Sequence, residues 1–350
     1  MSLPHAALLP LASLCLWLGA GAQHVRCPAP SAGPLTRAAS LLAGEADPPS
    51  PRRLMAGTAP AAPELVLRDP PAARAAPQAA EQDAPKAPEV PVRLLASLAT
   101  VAPQSEFELG VHLDVPEGWH VYWENPGDTG MATSARLELP EGFEVTGPLF
   151  PGPMRHEDPG GLVSFVHEGD LVLFFLARSP QELPEGPLRF SARVRWLACR
   201  ETCFVGSAEP ELELETAAQA VPAPAETLRL LRAQRALLPR PLAGIGDEVR
   251  VEWLAVPVPP GERERTAFRL ELPAVERLEF FEAPRAAFET LRQAHEASGR
   301  CSRLAVELAP RPGWAAQPAR IQGVVRLEKG AEVTYFTLDQ TGPPVPAKDR

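Results

Sequence analysis

No basic run occurs anywhere in the 350 residues, and the formal charge is −10, from 34 Lys and Arg against 44 Asp and Glu. Phosphate backbones need a concentrated basic patch, so nucleic acid is not an expected partner. Nothing beyond the N-terminal segment is long and apolar enough to cross a bilayer, which takes ~20 residues. No Ser-His-Asp arrangement, phosphate-binding glycine loop or paired-carboxylate motif rises above chance. True internal repeats are absent, and helical periodicity is sparse. These absences exclude the commonest hydrolase, nucleotide-binding and solenoid readings before any residue is singled out.

The N-terminus has the pattern of an export signal. Ala6 to Leu18 is largely apolar, and Ala20-Gly21-Ala22 offers small residues for cleavage before Gln23. The segment before the apolar run holds His5 but no Lys or Arg. Neither Cys15 nor Cys27 follows the apolar-small-small pattern of a lipoprotein site, so residues 1–22 are read as a signal peptide without lipidation. Residues 23–90 are rich in Ala and Pro, as in Pro60-Ala61-Ala62-Pro63, and hold part of the 43 prolines in the chain. Proline removes backbone donors and the stretch has no hydrophobic period, so a disordered, semi-extended tether is expected.

From Val90 the pattern changes to short alternating runs. Phe107, Leu109, Val111, Leu113 and Val115 fall on one face of a strand. Further strands are expected at Val92–Leu98, Val121–Trp123, Ala135–Leu139, Gly161–Val166, Asp170–Ala177, Leu188–Leu197 and Glu209–Glu215. Pro-Glu-Gly triplets at Pro116, Pro140 and Pro184 supply turns. Many short strands with little helical period predict a mostly β chain, with a β-sandwich over residues 91–217. Residues 225–350 form a second, mostly β region, opened by a helix over Ala225–Leu238 that Pro239 ends. It is expected to hold strands near Glu248–Val256, Thr266–Leu272, Ser302–Leu308, Ile321–Leu327 and Glu332–Leu338, with a helix over Ala286–Ala297. A scaffold or docking role is the default for it.

Removal of the signal leaves Cys27, Cys199, Cys203 and Cys301, and four thiols in an oxidising compartment allow three full pairings. Cys199 and Cys203 form the local pair, close enough for a turn to bring them into bonding range. Cys27 with Cys301 is the remaining pairing, or both stay free. By spacing alone the local pair admits three chemistries. It can be an exchange dithiol, a structural clip on a hairpin, or a Cu(I) site completed by a histidine. Arg195 and Arg200 would favour a thiolate and Glu201 would oppose it. Trp119, Tyr122 and Trp123 read as core aromatics, and His120 and His167 as structural histidines beside strands. Asn125-Pro126-Gly127-Asp128 reads as a turn, with its loop near the cysteines.

Several separate motifs then carry a resemblance. Gly118-Trp119-His120-Val121-Tyr122-Trp123-Glu124-Asn125-Pro126-Gly127-Asp128-Thr129-Gly130 is followed by Leu139-Pro140-Glu141-Gly142-Phe143. Phe150-Pro151-Gly152-Pro153 comes next, and then Trp196-Leu197-Ala198-Cys199 to Cys203. Over roughly residues 92–215 this order resembles the N-terminal periplasmic domain of the thiol:disulfide interchange protein DsbD, particularly its ScsB-like variants. The resemblance implies an immunoglobulin-like β-sandwich bearing Cys199 and Cys203 as a redox pair, with no bound cofactor and no metal. It implies Cys203 for partner exchange and Cys199 for resolution, and a flap at His156-Glu157-Asp158-Pro159-Gly160-Gly161 that shields the pair. The partners implied are periplasmic thiol or disulfide proteins. Family members usually continue into a membrane conduit and a thioredoxin-like domain, so a separately encoded electron donor of either kind is expected here. Val205 stands where the family often has Pro. A non-catalytic periplasmic adaptor with a structural disulfide is the competing expectation.

Overall fold

The computed structural model describes residues 86–183, 185–242, 249–254, 256–258, 262, 264–311 and 318–344. The expected signal peptide, nearly all of the expected tether, and Cys27 lie outside these residues. The described chain is mostly β, as its alternating pattern requires.

The first half builds two facing sheets. β1 (Val92–Ala96), β3 (Glu106–Asp114), β9 (Asp170–Arg178) and β6 (Glu144–Leu149) lie side by side in one. The other runs β13 (Val221–Pro222), β2 (Leu98–Val101), β12 (Glu211–Thr216), β10 (Leu188–Cys199), β4 (His120–Gly127), β8 (Val163–His167) and β7 (Met154–Glu157). Two more strands, β5 (Ser134–Glu138) and β11 (Cys203–Ala208), also pair with β10. The result is an immunoglobulin-like sandwich. Its core is filled from both inner faces, by Leu109, Val111, Leu113, Leu171, Leu173 and Phe175 from one sheet and by Phe190, Val194, Trp196 and Ala198 from the other. Phe143, which follows the Pro140-Glu141-Gly142 turn, meets Phe107 and Phe190 edge-on, at centroid distances of 6.4 and 5.4 Å.

The single described helix, α1 (Ala225–Arg235), covers the outer face of the smaller sheet. Its Leu231 packs on Val172 and Phe174 of β9. Gly110 on β3 permits this approach, since a Cβ there would stand 2.8 Å from Val172 and 3.0 Å from Leu231. Glu226 in the first turn and Arg232 and Arg235 in the last suit the helix dipole.

The second half is another sandwich. β14 (Arg240–Pro241), β21 (Glu332–Pro344), β20 (Pro318–Lys329) and β17 (Arg277–Glu282) form one sheet. β15 (Arg250–Leu254), β16 (Thr266–Pro273), β19 (Cys301–Pro310) and β18 (Phe288–Ser298) form the other. Phe268, Leu270, Phe280, Leu304, Val306, Val325 and Leu338 meet between them.

The helix expected over Ala286–Ala297 is instead the edge strand β18. Its Ala, Glu, Leu, Arg and Gln residues favour helix intrinsically, but that preference amounts to tenths of a kcal/mol per residue. Pairing along the whole of the buried strand β19 outweighs it. The hairpin is closed by Gly299 at φ +60°, first residue of a two-residue loop between the paired Ser298 and Cys301. The polar sequence of β18 suits the last strand of its sheet. Cys301 is buried and disulfide-bonded.

The two sandwiches share an apolar seam. Trp123 and Phe165 of the first pack against Phe281, Val324 and Tyr335 of the second, with Phe165 edge-on to Phe281 at 5.1 Å. Tyr335 Oη donates to the Pro153 carbonyl at 3.1 Å, and the Gly152 N–H donates to the Leu237 carbonyl at 2.9 Å. A Cβ at Gly152 would lie 1.9 Å from the Tyr335 ring, so the Phe150-Pro151-Gly152-Pro153 segment is a seat for that tyrosine. Asn125 Nδ2 donates to the Glu282 carbonyl at 2.8 Å. The loop expected near the cysteines is thus anchored through Asn125 to the second sandwich.

Candidate active site

Strand parity places the cysteines. Along β10 the even-numbered residues from Leu188 to Ala198 are buried in the sandwich core, while Arg189, Arg193 and Arg195 point outward and are exposed. Cys199 has the outward parity, yet it is only 3% exposed. Something on the outer face must therefore cover it. Strand β4 is the neighbour, with Ala198 opposite Val121 and Cys199 opposite His120. Val121 enters the core beside Ala198, so His120 and Tyr122 stand on the outer face with Cys199.

The cover is a small cluster of its own. Tyr122, Val166 and Cys199 are buried together, with Met154 and Leu197 packed against them. Tyr122 Oη donates to Cys199 Sγ at 3.3 Å. The His120 ring lies edge-on to Tyr122 at 5.4 Å and stacks obliquely on His156 at 4.5 Å. His156 Nε2 lies 3.4 Å from Asp158 Oδ1, in the turn that joins β7 to β8. Burial, reinforced by the neighbouring His156, lowers His120 to about 4, and Asp158 acts in the opposite direction. The Tyr122 hydroxyl is raised, by burial first and by Asp158 second.

The Gly118–Gly130 run is the seat of Tyr122. Gly130, at φ +101°, leaves no room for a Cβ, which would fall 2.1 Å from the Tyr122 ring. Thr133 N–H donates to the Tyr122 carbonyl at 3.2 Å. Asp128 ties this segment to β8 twice, giving its N–H to the Val163 carbonyl and accepting the Val163 N–H at Oδ2, each at 2.8 Å. The His156 to Gly161 stretch is a strand end and turn, closed by Gly161 N–H on the Asp158 carbonyl at 2.8 Å.

Across the hairpin, Cys199 and Cys203 are directly opposed and form a disulfide, with S–S 1.98 Å and Cα–Cα 4.1 Å. Arg200-Glu201-Thr202 makes the loop between them. Cys203 and the two residues before it are exposed. Arg200 lies over the Trp119 ring at 5.0 Å, and Trp119 packs on Phe204 at 6.0 Å. Beyond them Val205 is an apolar side chain open to solvent, and Gly206 leaves space for the Trp196 indole.

Trp119, Tyr122 and Trp123 are buried aromatics as expected, but Tyr122 also contacts sulfur and Trp123 serves the seam. His167 is the structural histidine foreseen, held neutral by burial that lowers it to about 3. His120 belongs instead to the cysteine cluster. Its signal was its parity with Tyr122, legible only once the β4–β10 register is known. Among the described residues, no group of three or more His, Cys, Asp and Glu side chains is arranged to hold a metal ion. Nor is any described helix long and apolar enough to cross a membrane.

Comparison with known proteins agrees with this geometry. Residues 92–214 match the family model of the thiol:disulfide interchange protein DsbD, N-terminal. The N-terminal periplasmic domain of ScsB from Proteus mirabilis superposes with TM-score 0.51 at 15% identity, over 72% of this chain and 93% of that one. At this identity the likeness bears on fold. The reduced DsbD N-terminal domain from Neisseria meningitidis is 12% identical, over 37% of this chain and 90% of that one, with TM-score 0.20. No curated protein matches.

Proposed function

We propose, on the premise that residues 92–214 form a DsbD-like N-terminal domain, that the protein relays electrons by thiol-disulfide exchange through Cys199 and Cys203. The observation that carries the reading is the asymmetry of the pair, with Cys203 an exposed residue at a hairpin end and Cys199 buried beneath Tyr122. Exchange needs one accessible sulfur for the partner and a second, close by, that resolves the mixed disulfide. Cys203 takes the first role and Cys199 the second. A structural clip would need no hydroxyl placed on one sulfur and no exposed partner.

In the reducing direction, the Cys203 thiolate attacks a disulfide sulfur of an exported protein and that protein's second sulfur leaves as thiolate. Cys199 then attacks Cys203 Sγ. The intermolecular bond breaks, the partner departs reduced, and the Cys199–Cys203 disulfide re-forms. Two electrons have passed to the partner, so a thiol donor must return them. We assign that role to a membrane or thioredoxin-like thiol donor. Residues 1–22 as export signal, 23–90 as tether, 91–217 as exchange module and 225–350 as its support complete the proposal. The compartment is the periplasm, and no cofactor takes part.

The test is a mixed-disulfide trap. Cys199→Ser leaves Cys203 without its resolving partner and should accumulate covalent adducts with exported thiol proteins, whereas Cys203→Ser should form none. Redox titration separates the structural clip, because a pair that stays oxidised well below ~−300 mV behaves as structural.

A further inference from the structure

We propose that the open edge of β11 docks the exchange partner's own backbone, as an extended segment that flanks the partner's reactive cysteine and adds to the sheet beside Cys203. This role rests on the exchange reading above. β11 pairs with β10 and with no other described strand. Its register decides which backbone groups face that edge. Ala192 N–H donates to the Pro210 carbonyl at 3.0 Å and Arg200 N–H to the Thr202 carbonyl at 3.4 Å, at the two ends of the hairpin. Opposed residues of antiparallel strands alternate between pairs that exchange backbone hydrogen bonds and pairs that do not. Both bonds fall on even-numbered pairs of this register, so Phe204, Gly206 and Ala208 turn their N–H and C=O groups to β10. The 4.1 Å Cα separation of Cys199 and Cys203 agrees, since it is that of a non-hydrogen-bonded pair. Cys203, Val205 and Ser207 therefore direct their N–H and C=O groups away from β10, where no described group bonds them.

The side chains leave the same edge clear. Cys203, Val205 and Ser207 are exposed, while Phe204 and Ala208 turn the other way and pack against the core. Edge strands are commonly guarded by charge or by proline, which discourage a further strand. The other outlying strands of this sandwich follow that rule, with Arg93 in β1, Pro148 in β6, Arg155 in β7 and Pro222 in β13. From Cys203 to Ala208, β11 has neither device.

The position of Cys203 selects the occupant. A partner must bring a sulfur to Cys203, and Cys203 is the first residue of this edge. A residue opposite it on an added strand would form a hydrogen-bonded pair, with its Cα about 5.5 Å away, inside the range that a disulfide spans. Displacement at a disulfide sulfur runs along the line opposite the leaving sulfur. The order β10, β11, added strand sets Cys199 on one side of Cys203 and the partner's cysteine on the other. The step balances as follows. The Cys203 thiolate bonds to the partner's sulfur, whose disulfide mate leaves as thiolate. Cys199 then gives its proton to water and bonds to Cys203 Sγ from the β10 side. The partner's sulfur leaves on the far side with the electrons of the broken bond, so the partner's disulfide is reduced and the pair is oxidised. Main-chain hydrogen bonds make such docking tolerant of sequence, and Val205 adds a preference for an apolar residue opposite it.

The test uses the reduced full chain and a short extended peptide of threonine and valine with one central cysteine, held as its mixed disulfide with thionitrobenzoate. Release of the coloured thiolate gives the rate, and the same derivative of N-acetylcysteine amide gives the reference. The ratio of the two rates is the readout, so any change in the reactivity of the pair itself cancels. The expected ratio is at least roughly tenfold. Val205→Pro, which deletes one outward N–H at an edge position that tolerates proline, should bring the ratio close to unity. Val205→Thr keeps the N–H and should keep the ratio. Methylating one alternate set of peptide nitrogens should abolish the gain, and methylating the other set should not. A ratio near unity in the natural protein, or one that Val205→Pro and both methylated peptides leave intact, overturns the docking edge while exchange stands. A natural protein that sediments as a dimer, split by Val205→Pro, assigns the edge to a second copy and also overturns the proposal. If the reduced pair reacts with the reference compound but never closes to the Cys199–Cys203 disulfide, the exchange reading falls and the docking edge with it.

Discussion

The outer face of the second sandwich and the face behind the cysteines differ in how buried polar groups are held. In the second sandwich, buried charge is paired. Glu307, 1% exposed, accepts from Arg265 at 3.1 Å and from Arg292 at 2.7 Å, and Glu271 accepts from Arg303 at 2.8 Å. Glu279 and Arg326 meet at 3.3 Å on the other sheet. In the first, the outer face behind the cysteines carries no such ladder. It holds a phenol, two imidazoles, a thioether and a sulfur, with His120 shifted far from its ordinary value. Paired charge locks geometry. Desolvated, titratable and lightly bonded groups beside a reactive sulfur are how sites are built. This contrast is what the proposal of an exchange site in the first sandwich and a supporting role for the second would require.

The sharpest way to break that contrast is at Glu307. Glu307→Ala removes a buried carboxylate that accepts from both Arg265 and Arg292, whose partly exposed guanidiniums can still be hydrated, and should destabilise the protein by about 2–3 kcal/mol. Denaturant unfolding would measure it, and exchange at Cys203 should be unaffected while the chain remains folded. Next comes acid. His167 and His120 are neutral and buried, with folded pKa values of about 3 and about 4 against 6.5 unfolded. The unfolded chain therefore binds protons first as pH falls. The stability they contribute is present above 6.5 and is lost progressively between 6.5 and about 3. His167→Leu should flatten this acid limb, by an amount on the order of a few kcal/mol at its foot.

A smaller effect probes how the scaffold supports the site. Tyr335→Phe removes the hydrogen bond to Pro153, one residue before Met154, and should cost about 1 kcal/mol. It should also quicken alkylation of reduced Cys199, because Met154 is part of that sulfur's cover. The smallest effect is expected on the exposed outer face of β10 and β5. Glu138→Gln there breaks a surface contact to Arg193 and should change stability by roughly 0.5 kcal/mol or less.

Much of the fold was legible because alternation is a direct consequence of burying one face. Phe107 to Val115 and Leu188 to Leu197 are strands for that reason, and α1 follows from its leucine spacing and Pro239. β18 was illegible because its residues favour helix and only its partner strand reveals its role. β17, with Leu278, Phe280 and Phe281 nearly consecutive, has no alternation to read, since one face meets the core and the other the seam. The cysteines were visible as a pair from spacing alone. Their inequality was not, because it depends on which face of β10 Cys199 occupies and on what β7 and β8 lay over it. His120 looked like any histidine beside a strand until the register set it opposite Cys199.

The central claim is that the two sulfurs are unequal members of an exchange pair. Trapping with the single serine variants in exported extracts measures this directly. The account predicts disulfide-linked partners on Cys199→Ser, released by reductant, and none on Cys203→Ser. Failure of both variants to capture any partner, with the natural pair remaining oxidised well below ~−300 mV, would contradict it.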